Sequence, residues 1–257
     1  MLRIALGNRR NAISLSSKFL KQTLADPEER GYQRVMIAIE GSLRRLGTDR
    51  LELYQQHHPM PDGDIEDVME ALDRLVQQGK VREIGHSNFT GAMMDEASAV
   101  AERRGFVRYA TTQNQLNILD GPRHEDVIEG CRRNGVLLLP YFPLASGLLT
   151  GKYSKGKDRE GTRFAADVQV MDKDKHLADA RLAMVERLAA FAEARGHTII
   201  ELAMGWLIGL PYVGTVISGA SSPEQITANA AATNWRLTEE DFRAIAAIVN
   251  EPVAARG

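Results

Sequence analysis

Among 257 residues the sequence has one cysteine, few aromatics (6%), no excess of either charge, and no apolar run near the ~18 residues that a membrane span needs. Each scarcity removes a class of protein. The lone Cys131 cannot close an internal disulfide and suits a reducing compartment. Lys and Arg number 32 against 34 Asp and Glu, interspersed to a net charge of -2, which leaves no basic stripe for nucleic acid and no polybasic membrane anchor. Arg3, Arg9 and Arg10 near the start are not followed by the apolar segment of a secretory signal. The six histidines, at 57, 58, 86, 124, 176 and 197, show no second ligand at helical or hairpin spacing, so no metal centre is expected. The expectation is a cytoplasmic protein with neither nucleic acid nor membrane as partner.

What is present is the composition of an ordinary globular chain, 44% hydrophobic and 26% charged, long enough for one large α/β domain over 1–257. Residues 12–17 alternate as a strand with Lys18 at its carboxyl end, after a Leu2–Gly7 segment resembling the end of a helix. Val35, Ile39, Leu43 and Leu46 lie on one face of a helix over 31–46 that Gly47 stops. Strands beginning near 51, 81, 109 and 136 are 30, 28 and 27 residues apart, about the ~30 of a strand-helix-strand unit. The helices between them fall near 65–78, 91–104 and 125–134. Val136 to Leu139 is apolar throughout, as in a strand buried on both faces. Residues 147–174, with Gly147, Gly151, Gly156 and Gly161, read as a long loop. Helices over 175–195 and 198–209, a strand over 213–217, a helix from Pro223 to about Ala231 and a last helix opened by Thr238 complete six parallel strands.

The stretch around which the rest is arranged is Gly79-Lys80-Val81-Arg82-Glu83-Ile84-Gly85-His86-Ser87-Asn88. A strand from Val81 ends where Ser87 and Asn88 offer a hydroxyl and an amide, and sites in alternating α/β barrels collect at such carboxyl ends. The competing reading makes Ser87 and Asn88 the N-cap of the next helix. His86 beside them reads as a solvent-facing or packed residue. His57 and His58 are adjacent, so on a strand they point to opposite faces.

Taken in order, several segments resemble the aldo-keto reductase family, in particular its potassium-channel β-subunit-like branch. They are Glu40 to His57, Gly79 to Asn88, Gln113 with Asn117-Ile118-Leu119, the run from Tyr141 to Tyr153, and Ile217 to Asn229. The resemblance covers nearly the whole chain. It implies a TIM-type (β/α)8 barrel, N-terminally incomplete with about six of its eight strands. The implied chemistry is hydride transfer between a nicotinamide cofactor, NADPH with NADH as the alternative, and an aldehyde or ketone. By the same resemblance Ser87, Asn88 and Gln113 hold the carboxamide and Tyr141 stacks on the ring. Phe142, Pro143, Leu144, Ser146 and Gly147 form the turn at the pyrophosphate, and Lys152 and Arg163 close over the cofactor. Gly219, Ser221, Gln225 and Asn229 take the adenosine phosphate. No Lys or Arg lies between Gly219 and Asn229, and Ala228 replaces an acidic residue common in the family.

For catalysis the resemblance assigns Lys18 and His57. Relatives add an aspartate that pairs with the lysine and a tyrosine that donates the proton. The motif carrying those two would lie upstream of Leu2, so the chain resembles a reductase without its first quarter. A complete reductase, a nucleotide-binding protein without turnover, and a barrel lyase using Lys18 as a Schiff-base nucleophile all stay open. Two strands fewer would leave unpaired edges, which favour self-association into a homo-oligomer.

Overall fold

The structure is a computed structural model that describes residues 2–20, 31–60, 65–120, 125–151 and 179–250. Lys152 and Arg163 lie outside the described residues, as does most of the long loop expected over 147–174. The chain forms two compact units. One comprises Met1–Asn114 with Glu125–Leu138, the other Gln115–His124 with Leu139–Gly257.

The first unit is built on a parallel sheet whose strands stand in chain order: β1 (Ser16–Phe19), β2 (Leu51–Gln56), β3 (Val81–Ser87), β4 (Thr111–Gln113) and β5 (Leu137–Leu138). Each parallel step needs a crossover, and the amphipathic helices supply it. After α1 (Leu2–Leu6), these are α2 (Gly31–Leu46), α3 (Ile65–Gln77), α4 (Gly91–Arg104) and α5 (Glu125–Asn134). Val35, Ile39 and Leu43 of α2 and Val68, Met69, Leu72 and Leu75 of α3 are buried in one cluster with Leu51, Tyr54, Val81 and Ile84 of the sheet. Each such aliphatic side chain contributes about 1.5–3 kcal/mol by burial. Gly47, with φ +66°, turns its N–H back to Leu43 O at 2.8 Å and ends α2 where its periodicity stops.

β1 begins at Ser16, four residues later than the expected strand, because Gly7–Ala12 is a 3-10 turn. Arg10 explains the shift: its guanidinium donates to Thr48 Oγ1 (2.8 Å), Ile13 O (3.2 Å) and Arg50 O (2.7 Å) and pairs with Glu52 at 3.1 Å. Those bonds curl the chain toward the start of β2, and Lys18 falls inside the strand, opposite Gln55. β5 also departs from expectation. Leu138 is buried but Leu137 is 47% exposed, so the apolar run is not covered on both faces.

The first unit packs tightly where side chains are absent. In the row Gln55, Gly85, Thr111, a Cβ on Gly85 would collide with Thr111 Oγ1 and stand 2.9 Å from the Thr111 carbonyl. The amino end of α4 is held by the Asp126 carboxylate of α5, which accepts the Gly91 N–H at 2.7 Å.

The second unit packs α6 (Asp179–Glu193), α7 (Ile199–Gly209) and α9 (Glu239–Asn250) around Leu148, Leu149, Leu188, Leu202 and Ile245, with α8 (Pro223–Ala231) following α7. Thr198 and Glu201 form a reciprocal capping box on α7. Thr238 and Asp241 do the same for α9. The strand expected over 213–217 contributes a single parallel bridge, Ile217 to Tyr141, closed by the Ile217 N–H to Pro140 O at 2.9 Å. Among the described residues no helix is long and apolar enough to cross a membrane.

Candidate functional site

In the first unit the expected residues meet at the carboxyl ends of β1 to β4. Lys18 lies one residue from the end of β1, and the His57 N–H bonds Phe19 O at 3.0 Å, which seats His57 beside that end. Lys18 is half-buried and burial holds its pKa below the usual lysine value. Burial, then the charges of Lys18 and His58, lower the pKa of His57, so its ring is neutral near pH 7.

Ser87 and Asn88 do not cap α4. Thr90 does, its side chain accepting the Met93 N–H at 3.3 Å. Ser87 instead donates its hydroxyl to Gln113 O at 2.6 Å, and the Asn88 N–H reaches the same carbonyl at 3.1 Å. The Asn88 amide donates to His57 O at 2.9 Å and lies 3.1 Å from Ser87 Oγ and 3.2 Å from His58 Nδ1. Asn88 adopts φ +62°, a left-handed backbone that a non-glycine residue enters at a cost. Gln113 is buried at 7% exposure, and its side-chain amide bonds to none of the described residues.

β2 ends at Gln56, so the alternation of a strand does not extend to His57 and His58. Their rings stack at 4.8 Å and 9° instead of pointing apart. His86 is packed, not solvent-facing: it is fully buried, stacked on Phe89 at 4.1 Å and edge-on to Tyr109 at 4.8 Å. Burial lowers its pKa to about 3.

A cavity of about 1100 Å³ lies at the opposite end of these strands, lined by Arg10, Gly47 to Arg50 and Lys80, the residues that lead into β2 and β3. Among its cations Arg10 pairs with Glu52 and Lys80 with Glu40. That end of a β/α array stabilises the fold, and chemistry belongs at the other.

The second unit carries the remaining residues. Half-buried Tyr141 bridges in parallel to Gln115 and Ile217 and stands edge-on to Phe142 at 5.1 Å. Phe142, Ala145 and Ser146 have φ of +56°, +46° and +58°, and Gly147 has +105°. Pro143 and Leu144 lie within this turn, which engages two of its own amides: Ala145 N–H bonds Phe142 O and Gly147 N–H bonds Leu144 O. Further on, Ser221 donates twice to Gln225 Oε1, from N–H at 2.9 Å and Oγ at 3.1 Å, and Asn229 Nδ2 donates to Gly219 O at 3.3 Å. Gly219, Ser221 and Gln225 thus lie around the amino end of α8, and the Asn229 side chain reaches back to them from farther along the helix.

Sequence reasoning missed two features. His58 joins the network around Asn88, a role that only the end of β2 decides. Asp120 takes a bidentate ion pair from Arg181 at 3.0 and 3.1 Å and also accepts from Asn117 Nδ2 at 3.1 Å. The partners are 61 positions apart, and nothing local in the sequence joins them. Among the described residues no group of three or more His, Cys, Asp or Glu could hold a metal ion.

Parallel strands in chain order, crossed by helices and carrying their polar side chains at the carboxyl ends, define a protein of the β/α-barrel class. Residues 1–250 match the model of the aldo/keto reductase family, and the chain belongs to that family. It is 31% identical to the uncharacterized oxidoreductase YrpG of Bacillus subtilis over 244 residues, 92% of this chain and 72% of the relative. It is 32% identical to the aldo-keto reductase YhdN of the same organism, over 86% of this chain and 65% of the relative. A putative voltage-gated potassium channel subunit beta of Schizosaccharomyces pombe is 31% identical over 87% of this chain and 67% of its own length. The chain thus spans about two thirds of the length of such relatives.

Proposed function

We propose that the chain binds a nicotinamide dinucleotide, NADPH or NADH, and carries the lysine-histidine part of a site that reduces aldehydes or ketones. The observation that carries this reading is where the backbone is strained. Among the described residues the non-glycine positions with positive φ are Asn88, Phe142, Ala145 and Ser146. Three of these four belong to the cofactor set expected from the sequence. Such conformations cost about 1–3 kcal/mol each and persist where the surroundings enforce them, characteristically at ligand sites.

The chemistry of the donor set fits. In the first unit the Ser87 hydroxyl donates to Gln113 O, which leaves its oxygen to act as an acceptor, and the buried Gln113 side chain adds an amide. These are the groups that fix a carboxamide. In the second unit the Tyr141 ring offers an aromatic face, and the Phe142–Gly147 turn, with the Ala145 and Gly147 N–H groups bonded internally, leaves the Phe142 and Leu144 amides for an anion. A bound nicotinamide would supply the hydride. Lys18 and neutral His57 would polarise and orient a carbonyl oxygen.

A second reading, binding with little turnover, is favoured by the tyrosines of the first unit. Tyr54 packs on Phe19, Tyr109 donates to Gln56 Oε1 at 3.2 Å, and Tyr32 packs against the apolar cluster. None of them is a proton donor for a carbonyl beside Lys18. A site working without a tyrosine as general acid would run about 10²- to 10⁴-fold slower. The buried Cys131, its thiol pushed up to about 12 by burial, stays protonated near pH 7.

The test is a titration of the chain with NADPH and with NADH, following the fluorescence of Trp206, Trp235 and the nicotinamide. Saturable binding, weakened in Gln113→Ala and Tyr141→Ala, is expected. Unchanged affinity in both variants would overturn the site. Carbonyl reduction by the chain that binds then separates the two readings.

A further inference from the structure

We propose that His58 is a positioning residue of the nicotinamide site, holding the Asn88 amide and the His57 ring in one arrangement. The inference rests on the reading that Asn88 and His57 serve that site.

His58 is exposed, yet it is restrained from three directions. Its carbonyl accepts from Gln56 Nε2 at 3.1 Å, and Gln56 is itself buried at 2% exposure and held by Tyr109. Its ring lies flat on His57, and its Nδ1 faces Asn88 Nδ2 at 3.2 Å. A surface loop residue with no task would have no reason to be gripped by a buried network, a ring stack and a side-chain amide together.

The chemistry of the contact is directional. Asn88 Nδ2 has two protons and three acceptors within reach: His57 O, Ser87 Oγ and His58 Nδ1. The His57 carbonyl, at 2.9 Å, takes one proton, and Ser87 Oγ and His58 Nδ1 share the other. For Nδ1 to accept, the proton of the His58 ring must sit on Nε2. The His57 carbonyl sets which end of the Asn88 amide faces the histidines, His58 Nδ1 reinforces that choice as an acceptor, and Oδ1 is the end turned away from them. A carboxamide that Asn88 recognises meets an amide whose orientation is already chosen. The same ring lies against one face of His57.

Two measurements on the full chain test this. In the first, ¹⁵N spectra of ring-labelled histidines at pH 8 should show His58 as the Nε2–H tautomer, with its Nδ1 resonance displaced in Asn88→Ala. An Nδ1–H tautomer, or a resonance indifferent to Asn88→Ala, would overturn the proposal. In the second, NADPH affinity is compared in His58→Phe, which keeps a ring for the stack but no acceptor, and His58→Asn, which restores an acceptor. Losing one hydrogen bond should weaken binding about five- to tenfold in His58→Phe. His58→Asn should remain within about twofold of the parent, a rescue that a purely structural role does not predict. Equal affinity of His58→Phe and the parent would also overturn it. If the parent fails to bind NADPH, the cofactor reading falls, and the tautomer measurement decides the His58–Asn88 coupling alone.

Discussion

Asn88 gives its side-chain amide to the main-chain carbonyl of His57 at 2.9 Å, joining the loop after β3 to the loop after β2 while its own backbone sits at φ +62°. The bond and the strain act in opposite directions, and substitution separates them. Asn88→Ala loses the bond and keeps the strain, whereas Asn88→Gly loses the bond and relieves the strain. Asn88→Ala is expected to be the less stable of the two by about 1 kcal/mol. Urea midpoints of the two variants check the order.

Gly85 should tolerate no side chain. Its added Cβ meets Thr111 Oγ1, the Thr111 carbonyl at 2.9 Å and Gln55 Cγ at 3.2 Å, all from strands on either side. Gly85→Ala is expected to cost about 1–3 kcal/mol. Adding Thr111→Ala removes the hydroxyl but not the carbonyl, so rescue should be partial. Equilibrium unfolding of the single and double variants measures this.

His86 sets a pH dependence whose sign can be worked out. Its folded pKa is lowered by burial to about 3, against an ordinary value of 6.5. Below 6.5 the unfolded chain binds a proton that the folded chain refuses, so stability falls as pH falls. The window runs from about 6.5 down to about 3, with a slope of up to about 1.4 kcal/mol per pH unit. Neither ring nitrogen of His86 has a partner among the described residues, so His86→Phe breaks no hydrogen bond. It should stay within about 1.5 kcal/mol of the parent at pH 7 and flatten the acid limb. Denaturant midpoints from pH 4 to 7 test both statements.

The Asp120–Arg181 pair should behave as a buried one. Their side chains are 8% and 13% exposed, and the bidentate geometry leaves each charge dependent on the other. Asp120→Ala strands a buried guanidinium and is expected to destabilise by about 3–5 kcal/mol. In Arg181→Met with Asp120→Leu, both charges go and most of the loss should be recovered. A double-mutant cycle by thermal unfolding gives the coupling.

Much of this arrangement was legible where periodicity is strong and local. The helices at Gly31–Leu46, Gly91–Arg104 and Glu125–Asn134 coincide with their expected spans, because apolar spacing and a terminal Gly or Asn-Gly mark both face and end. Ser87, Asn88 and Gln113 were expected together and are bonded together. What escaped depends on contacts between distant segments. β1 is displaced because Arg10 reaches Thr48 and Glu52, some forty positions on. His57 and His58 share a side because β2 stops at Gln56. Leu137 is exposed although its sequence is as apolar as that of its buried neighbour.

The carbonyl of Gln113 receives both the Ser87 hydroxyl and the Asn88 N–H, and it belongs to the main chain. Any residue at position 113 would present that carbonyl. The clasp between the strand ends is therefore independent of the side chain at 113, which can be exchanged without undoing it.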